Sequence, residues 1–197
     1  MKPMTPLFQT LPAAQTWLFE ALAQAARDPG DAWHLGSLSY FDINSRMPVA
    51  KTIVLREWDA EIGALSFFTD TRSGKWRALE AHNQAAILFY CPARMVQLSL
   101  SCSVHLSTAT SETAAQFAGL SKPQQEAYIS TSAPGATKGQ ENWPGEKRLD
   151  PDLAAQHFGI VNLSPLVFDF VSLHKDGHQR ISGQTLGDRS TWSWRIP

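Results

Sequence analysis

The sequence predicts a mainly β, antiparallel domain, a barrel or a sandwich, with helices at its flanks. Three observations carry this. Over residues 96–107, apolar Val96, Leu98, Leu100, Cys102, Val104 and Leu106 alternate with polar residues without a break, the pattern of a long strand with one buried face. Between Trp33 and Cys91, short apolar runs are separated by turn residues at the close spacing of antiparallel strands. After a helical stretch, the tail returns to strand patterning.

Each element can be justified in turn. Leu11, Leu18, Leu22 and Ala25 fall on one helical face, so a helix is expected over 11–26. It stops at Asp28-Pro29-Gly30, where proline removes a donor and glycine permits a reversal. Residues 33–41 read as a strand, 42–45 as a turn, and 49–56 as a strand rich in β-branched side chains. A turn over 59–63 leads to a strand over 65–69. Ser73 is a suitable N-cap for a short helix to Ala81, with His82-Asn83 closing it. Residues 85–91 are continuously apolar, as in a central strand, and Pro92-Ala93 turns the chain into the alternating strand. Ser111 is placed to cap a helix ending at Gly119, and Ser121 to Gln124 has capping-box form ahead of a helix over 125–131. Residues 133–150, rich in Gly, Pro and charge, read as a long loop. Strands are expected over 158–163, 166–173, 179–182 and 192–196.

At 197 residues the chain is long enough to bury a core without disulfide or metal. The expected layout is one domain over 1–197, with the N-terminal helix in 1–31, a helical insertion and loop over 111–150, and closing strands over 158–197. Basic and acidic residues number 17 and 18, which argues against a globally basic nucleic-acid binder. The longest apolar run has seven residues, 85–91, whereas a membrane span needs about 20. Residues 1–9 carry one Lys and two Pro and no apolar stretch, so no secretory signal is read and a cytoplasmic location is expected. Cys91 and Cys102 have no metal-type spacing. His174 and His178 are four apart, but Lys175-Asp176-Gly177 between them reads as a turn, so no metal site is expected. His178 and Arg180 would instead share one face of the following strand. GxSxG, Walker, HExxH and CxxC motifs are absent.

The densest polar group is Phe67-Phe68-Thr69-Asp70-Thr71-Arg72-Ser73-Gly74-Lys75, where a strand ends, a turn carries two cations and a helix begins. Free N–H groups at a helix start, joined by Arg72 and Lys75, suit an anion, and Gly74 lets a phosphate approach the backbone. An ordinary capped helix with solvated cations satisfies the same spacing. Lys51 and Arg56 bracket an apolar strand on opposite faces, either as rim charges or, with a bulge, as parts of one site. Gln97, Ser99 and Ser101 form a small-polar face, either solvated or a ligand-facing wall. The seven tryptophans read as core and barrel plugs.

Taken together, these positions resemble the pyridoxamine 5′-phosphate oxidase-like flavoproteins, which fold as an FMN-binding split β-barrel. The pieces occur in the family's order: Ala32-Trp33, residues 48–56, the turn from Phe67 to Lys75, Leu88-Phe89-Tyr90, Gln97, His178-Gln179-Arg180 and residues 192–197. The similarity spans about four-fifths of the chain. It implies that Lys51, Thr52, Ile53, Val54, Leu55 and Arg56 line the flavin, partly through backbone groups. It likewise implies that Phe68, Thr69, Arg72, Ser73 and Lys75 hold the ribityl phosphate and that Gln97 contacts the ring system. Arg180 would approach from the second subunit of a homodimer. Tyr128 and His178 match substrate-binding positions. His178 is the best candidate for acid–base work, with Arg56 stabilising negative charge on substrate or reduced flavin.

The departures concentrate on the substrate side. Where true oxidases carry a phosphate-binding arginine, serine and arginine, this chain has Ser132, Ala136 and Asp176. Losing two cations and gaining an anion would weaken binding of a phosphate dianion by several kcal/mol. One flavin-phosphate arginine is also replaced, by Gly74, with Arg72 two residues earlier as the expected substitute. The resemblance therefore implies an FMN-dependent oxidoreductase on a small molecule that is not a vitamin B6 phosphate. True pyridoxamine 5′-phosphate oxidase activity and non-catalytic flavin or haem binding are the alternatives.

Overall fold

A computed structural model describes residues 5–137, 154–186 and 189–197. Helix α1 (Leu11–Arg27) begins at Thr10, whose hydroxyl accepts from the Ala13 N–H, with Pro12 in the first turn where no amide donor is needed. Its buried stripe is Ala14, Leu18, Ala21, Leu22 and Ala25. The strand expected from residue 33 starts later. The Asp31 carboxylate accepts from the Trp33 N–H at 2.8 Å and winds Ala32–His34 into a 3-10 turn ahead of β1 (Leu35–Asp42).

Next come β2 (Met47–Val54), β3 (Glu57–Asp59), β4 (Ala64–Asp70), α2 (Gly74–Ala81), β5 (Gln84–Cys91) and β6 (Val96–Thr108). Helices α3 (Ser111–Ala118) and α4 (Lys122–Glu126) precede β7 (Phe158–His174), β8 (Gly177–Leu186) and β9 (Arg189–Arg195). The strand expected over 49–56 ends at Val54, and β3 follows after Leu55-Arg56, because the chain changes partner. Leu55 N–H donates to the His34 carbonyl and Arg56 N–H to the Ser66 carbonyl, which hands the ladder from β1 to β4. That switch closes a barrel in the order β1, β2–β3, β4, β7, β6, β5 and back to β1, all antiparallel.

The two strands expected over 158–163 and 166–173 are one 17-residue strand. Ser101 faces Val167 while Cys102 faces Pro165, so a bulge leaves Leu166 unpaired and bends β7. Its first half pairs with β4 and its second with β8, and here the barrel splits. Two helical expectations also shift. Thr110, not Ser111, caps α3, in a reciprocal box with Thr113. The Ser121–Gln124 box opens α4 itself, which ends at Glu126 rather than running on to residue 131. Of the expected 133–150 loop, residues 138–150 lie outside the described residues.

The main core fills the barrel and the space under α1, and it absorbs five of the tryptophans. Trp17 meets Trp33 edge-on at 5.9 Å, Phe19 contacts Trp58 at 5.2 Å, and Phe168 contacts Trp192 at 5.2 Å. A second cluster, Phe117, Tyr128, Ala154, Phe158 and Ile160, ties α3 and α4 to β7. No described helix is long and apolar enough to cross a membrane.

Trp76 anchors α2 by lying against Gly159 of β7. A Cβ at position 159 would lie 2.8 Å from Trp76 Cη2, closer still to Cζ3, and 2.9 Å from Thr71 Cγ2. Gly159→Ala must therefore displace the helix whose start carries the polar turn. Overpacking of this kind costs about 1–3 kcal/mol. A fall in Tm of about 5–10 °C is expected by calorimetry, and an unchanged Tm would show that α2 is not held this way.

Candidate functional site

At the mouth of the barrel, β4 ends, the chain turns and α2 starts. The turn is built around Asp70, which is buried. Its carboxylate accepts from the Arg72 N–H at 2.8 Å and its carbonyl from the Ser73 N–H at 3.1 Å. Ser73 caps α2 by accepting from the Trp76 N–H at 3.2 Å, as its position before the helix predicts. Among the described residues no acceptor meets the N–H groups of Gly74 and Lys75, the orphan donors of a helix start.

This junction opens on a cavity of about 770 Å³. Lys51 and Thr52 enter it from β2, Thr69 from β4, Ser73, Gly74 and Lys75 from the turn and helix, and Tyr128 from beyond α4. Lys75 Nζ lies 4.9 Å from the centre of the Phe67 ring. Burial, and then repulsion from Lys51, bring the Lys75 ammonium down to about 8. Two cations thus share a partly dry space, an arrangement that an anion relieves. At the other side, burial pushes the Tyr128 phenol up to about 12, with Asp70 reinforcing and Arg56 opposing the shift. It is a donor hydroxyl at neutral pH.

Other expected residues fall elsewhere. Ile53 and Leu55 point into the core and can offer a ligand only backbone groups; Val54 is half-buried and outside the cavity lining. Phe68 stacks edge-on against Phe158 at 4.9 Å, with the Arg56 guanidinium 5.6 Å from its ring centre. Neither Phe68 nor Arg56 lines the cavity. Arg72 is drawn to Asp70 in a two-pronged pair, Nε to Oδ1 at 3.0 Å and Nη2 to Oδ2 at 2.7 Å, and Nη1 donates to the Ser130 carbonyl at 3.0 Å. Its guanidinium braces the turn and is not in the cavity wall.

Gln97, His178 and Arg180 lie on β6 and β8, which contribute nothing to this cavity in one chain. They do share a surface. Tyr90, Gln97, Val171, Arg180 and Arg195 are directly opposed across five strands, and Leu88, Ser99, Asp169, Ser182 and Ser193 form the next row. Arg180 is paired on this open face with Asp169, at 2.8 and 2.7 Å. His178 is two residues before Arg180 on the same face, and the 174–178 segment is a hairpin, not a helix. Leu88 and Tyr90 are 39% and 45% exposed there. Among the described residues no three His, Cys, Asp or Glu side chains are grouped as metal ligands.

Tyr40, Asp42 and Asn44 from the β1–β2 corner, Val49 from β2 and Arg77 from α2 also line the cavity. None was picked out from the sequence as a side chain of this site; a usable signal existed for Arg77, whose position three residues after Gly74 puts it on the same helix face.

Residues 15–108 match the family model described as pyridoxamine 5′-phosphate oxidase, FMN-binding domain. A search of curated protein sequences finds no match. Among solved structures, a pyridoxamine 5′-phosphate oxidase-related, FMN-binding protein from Nostoc punctiforme is 21% identical with a TM-score of 0.75, covering 98% of this chain and 100% of that one. PhzG from Burkholderia lata, in complex with tetrahydrophenazine-1-carboxylic acid, is 18% identical with a TM-score of 0.73, covering 98% and 99%. A protein related to general stress protein 26 from Clostridium acetobutylicum is 10% identical with a TM-score of 0.55, covering 86% and 95%. At these identities the likeness is one of fold.

Proposed function

We propose, from the match of residues 15–108 to the pyridoxamine 5′-phosphate oxidase FMN-binding domain model, that the protein is a homodimeric FMN-dependent oxidoreductase acting on a small molecule other than a vitamin B6 phosphate. The observation that carries this is the cavity at the start of α2, where Lys51 and Lys75 meet Ser73 and two unmet N–H groups. That donor set fits the phosphate of FMN. Bound there, FMN would supply two-electron redox chemistry. The chain's own residues would bind and orient it: Lys75 and Ser73 at the phosphate, Lys51 and Thr52 along the ribityl chain, and the backbone of residues 53–55 beside the ring. Arg56, next to Tyr128, is available to offset negative charge on a substrate.

The substrate side argues against a phosphate dianion. Ser132 and Ala136 are exposed and uncharged, and Asp176 sits in the β7–β8 turn with its N–H donating to His174 Nδ1 at 3.1 Å. The open face with Gln97, His178 and Arg180 suits a second copy of the chain, which would bring those groups to the first copy's cavity.

Purified protein is expected to be yellow, or to quench the fluorescence of added FMN with a stoichiometry of one per chain. A colourless protein that leaves FMN fluorescence unchanged refutes the proposal. Hydrogen peroxide release on adding pyridoxamine 5′-phosphate would overturn the exclusion of that substrate. Bound flavin that no reductant can reduce would favour a storage or sensing role.

A further inference from the structure

We propose that Arg77 is the third cation of the flavin-phosphate site, doing the work that the family resemblance assigns to an arginine at the position held here by Gly74. This rests on the reading that the cavity takes FMN. The cation nearest in sequence, Arg72, is held by both oxygens of buried Asp70 and by the Ser130 carbonyl, and it stands outside the cavity. Gly74, by contrast, leaves a notch in the wall, because a Cβ built there meets nothing within 4 Å. Arg77 follows three residues later on the same side of α2, one helical turn along, and lines the same cavity as Lys51, Ser73 and Lys75.

Arg77 makes no ion pair with a carboxylate among the described residues. The acid nearest in effect is Asp42 across the rim, whose carboxylate is already engaged by the Asn44 N–H at 3.1 Å and the Ser45 hydroxyl at 2.8 Å. A guanidinium is planar and offers paired donors that match two phosphate oxygens, which a lysine in the same place would not. The side chain missing at position 74 thus leaves the space through which one from position 77 can reach.

The test compares FMN with riboflavin, which lacks the phosphate, by fluorescence quenching on the full chain. Arg77→Gln is expected to raise the Kd for FMN about tenfold while leaving that for riboflavin unchanged. Adding Gly74→Arg to that variant is expected to recover most of the loss, because the notch accepts the new side chain. Arg72→Gln is expected to shift FMN and riboflavin together, since it loosens the turn. Wild-type FMN affinity in Arg77→Gln, or an equal loss for both flavins, would overturn the inference and leave the FMN reading standing. If the wild type binds neither flavin, the FMN reading itself fails.

Discussion

Replacing Lys75 with methionine is expected to stabilise the ligand-free protein and to cost it FMN affinity. The ammonium is brought down to about 8 by burial and by Lys51, so the folded chain holds that proton less tightly than the unfolded one. The destabilisation is complete below pH 8, where the group is charged in both states. It is relieved as pH rises from about 8 towards the ordinary lysine value, because there the unfolded chain binds more protons. Methionine keeps the packing against Phe67 and removes the desolvated charge, a gain of about 2 kcal/mol after allowance for solvent at the cavity mouth. Thermal melts at pH 7 should show the variant above the wild type, with the gap narrowing by pH 9.5. FMN titrations should show the reverse, a loss of one to two orders of magnitude, roughly the contribution of one charged contact to a phosphate. Wild-type FMN affinity in this variant would remove Lys75 from the phosphate site.

Leu88→Glu is expected to separate the proposed dimer and to take flavin binding with it. Leu88 stands on the open face, one row from Gln97 and Arg180, and its exposure means the single chain tolerates a charge there. Across a twofold interface the same charge would be desolvated and set near its own copy, at a cost of several kcal/mol. Gel filtration with light scattering should report a monomer with an unchanged circular dichroism spectrum. FMN affinity should fall about tenfold or more, because β6 and β8 do not reach the cavity of their own chain. A dimer that binds FMN as the wild type does would exclude this face as the interface.

Local patterns predicted the local structure well, and for plain reasons. The twelve-residue alternation in β6 and the serine before α2 are signals confined to a few consecutive residues, and both appear where expected. What failed was partner choice. Nothing in residues 49–56 marks the point where the ladder passes from β1 to β4, because each side chain suits either neighbour. The bulge at Leu166 was hidden for a similar reason: Ser164 and Pro165 lie between the two expected strands, yet the chain runs on through them, with Pro165 opposite Cys102 beside the bulge.

The candidate site divides the same way. Thr69, Ser73, Gly74 and Lys75 were legible because one turn and one helix start hold them together. Thr52 and Tyr128 came from the family resemblance rather than from spacing, whereas Lys51 also stood out as a charge at one end of an apolar strand. Arg72 was assigned to the phosphate by proximity in sequence, yet Asp70 two residues earlier engages it in a pair that no spacing rule anticipates. Tyr40, Asp42 and Asn44 lie far from the motif along the chain and join it only because β1 runs beside β2.

By itself, then, the sequence determined an antiparallel β domain with flanking helices and a basic turn at the start of a capped helix. Periodicity, caps and turn residues act over a few positions and survive any arrangement of the whole. Tertiary structure alone decided that the barrel closes at Leu55-Arg56, which cations face the cavity and which surface stays open. Those outcomes depend on contacts between residues tens of positions apart, where packing and charge pairing choose among options that are locally equivalent.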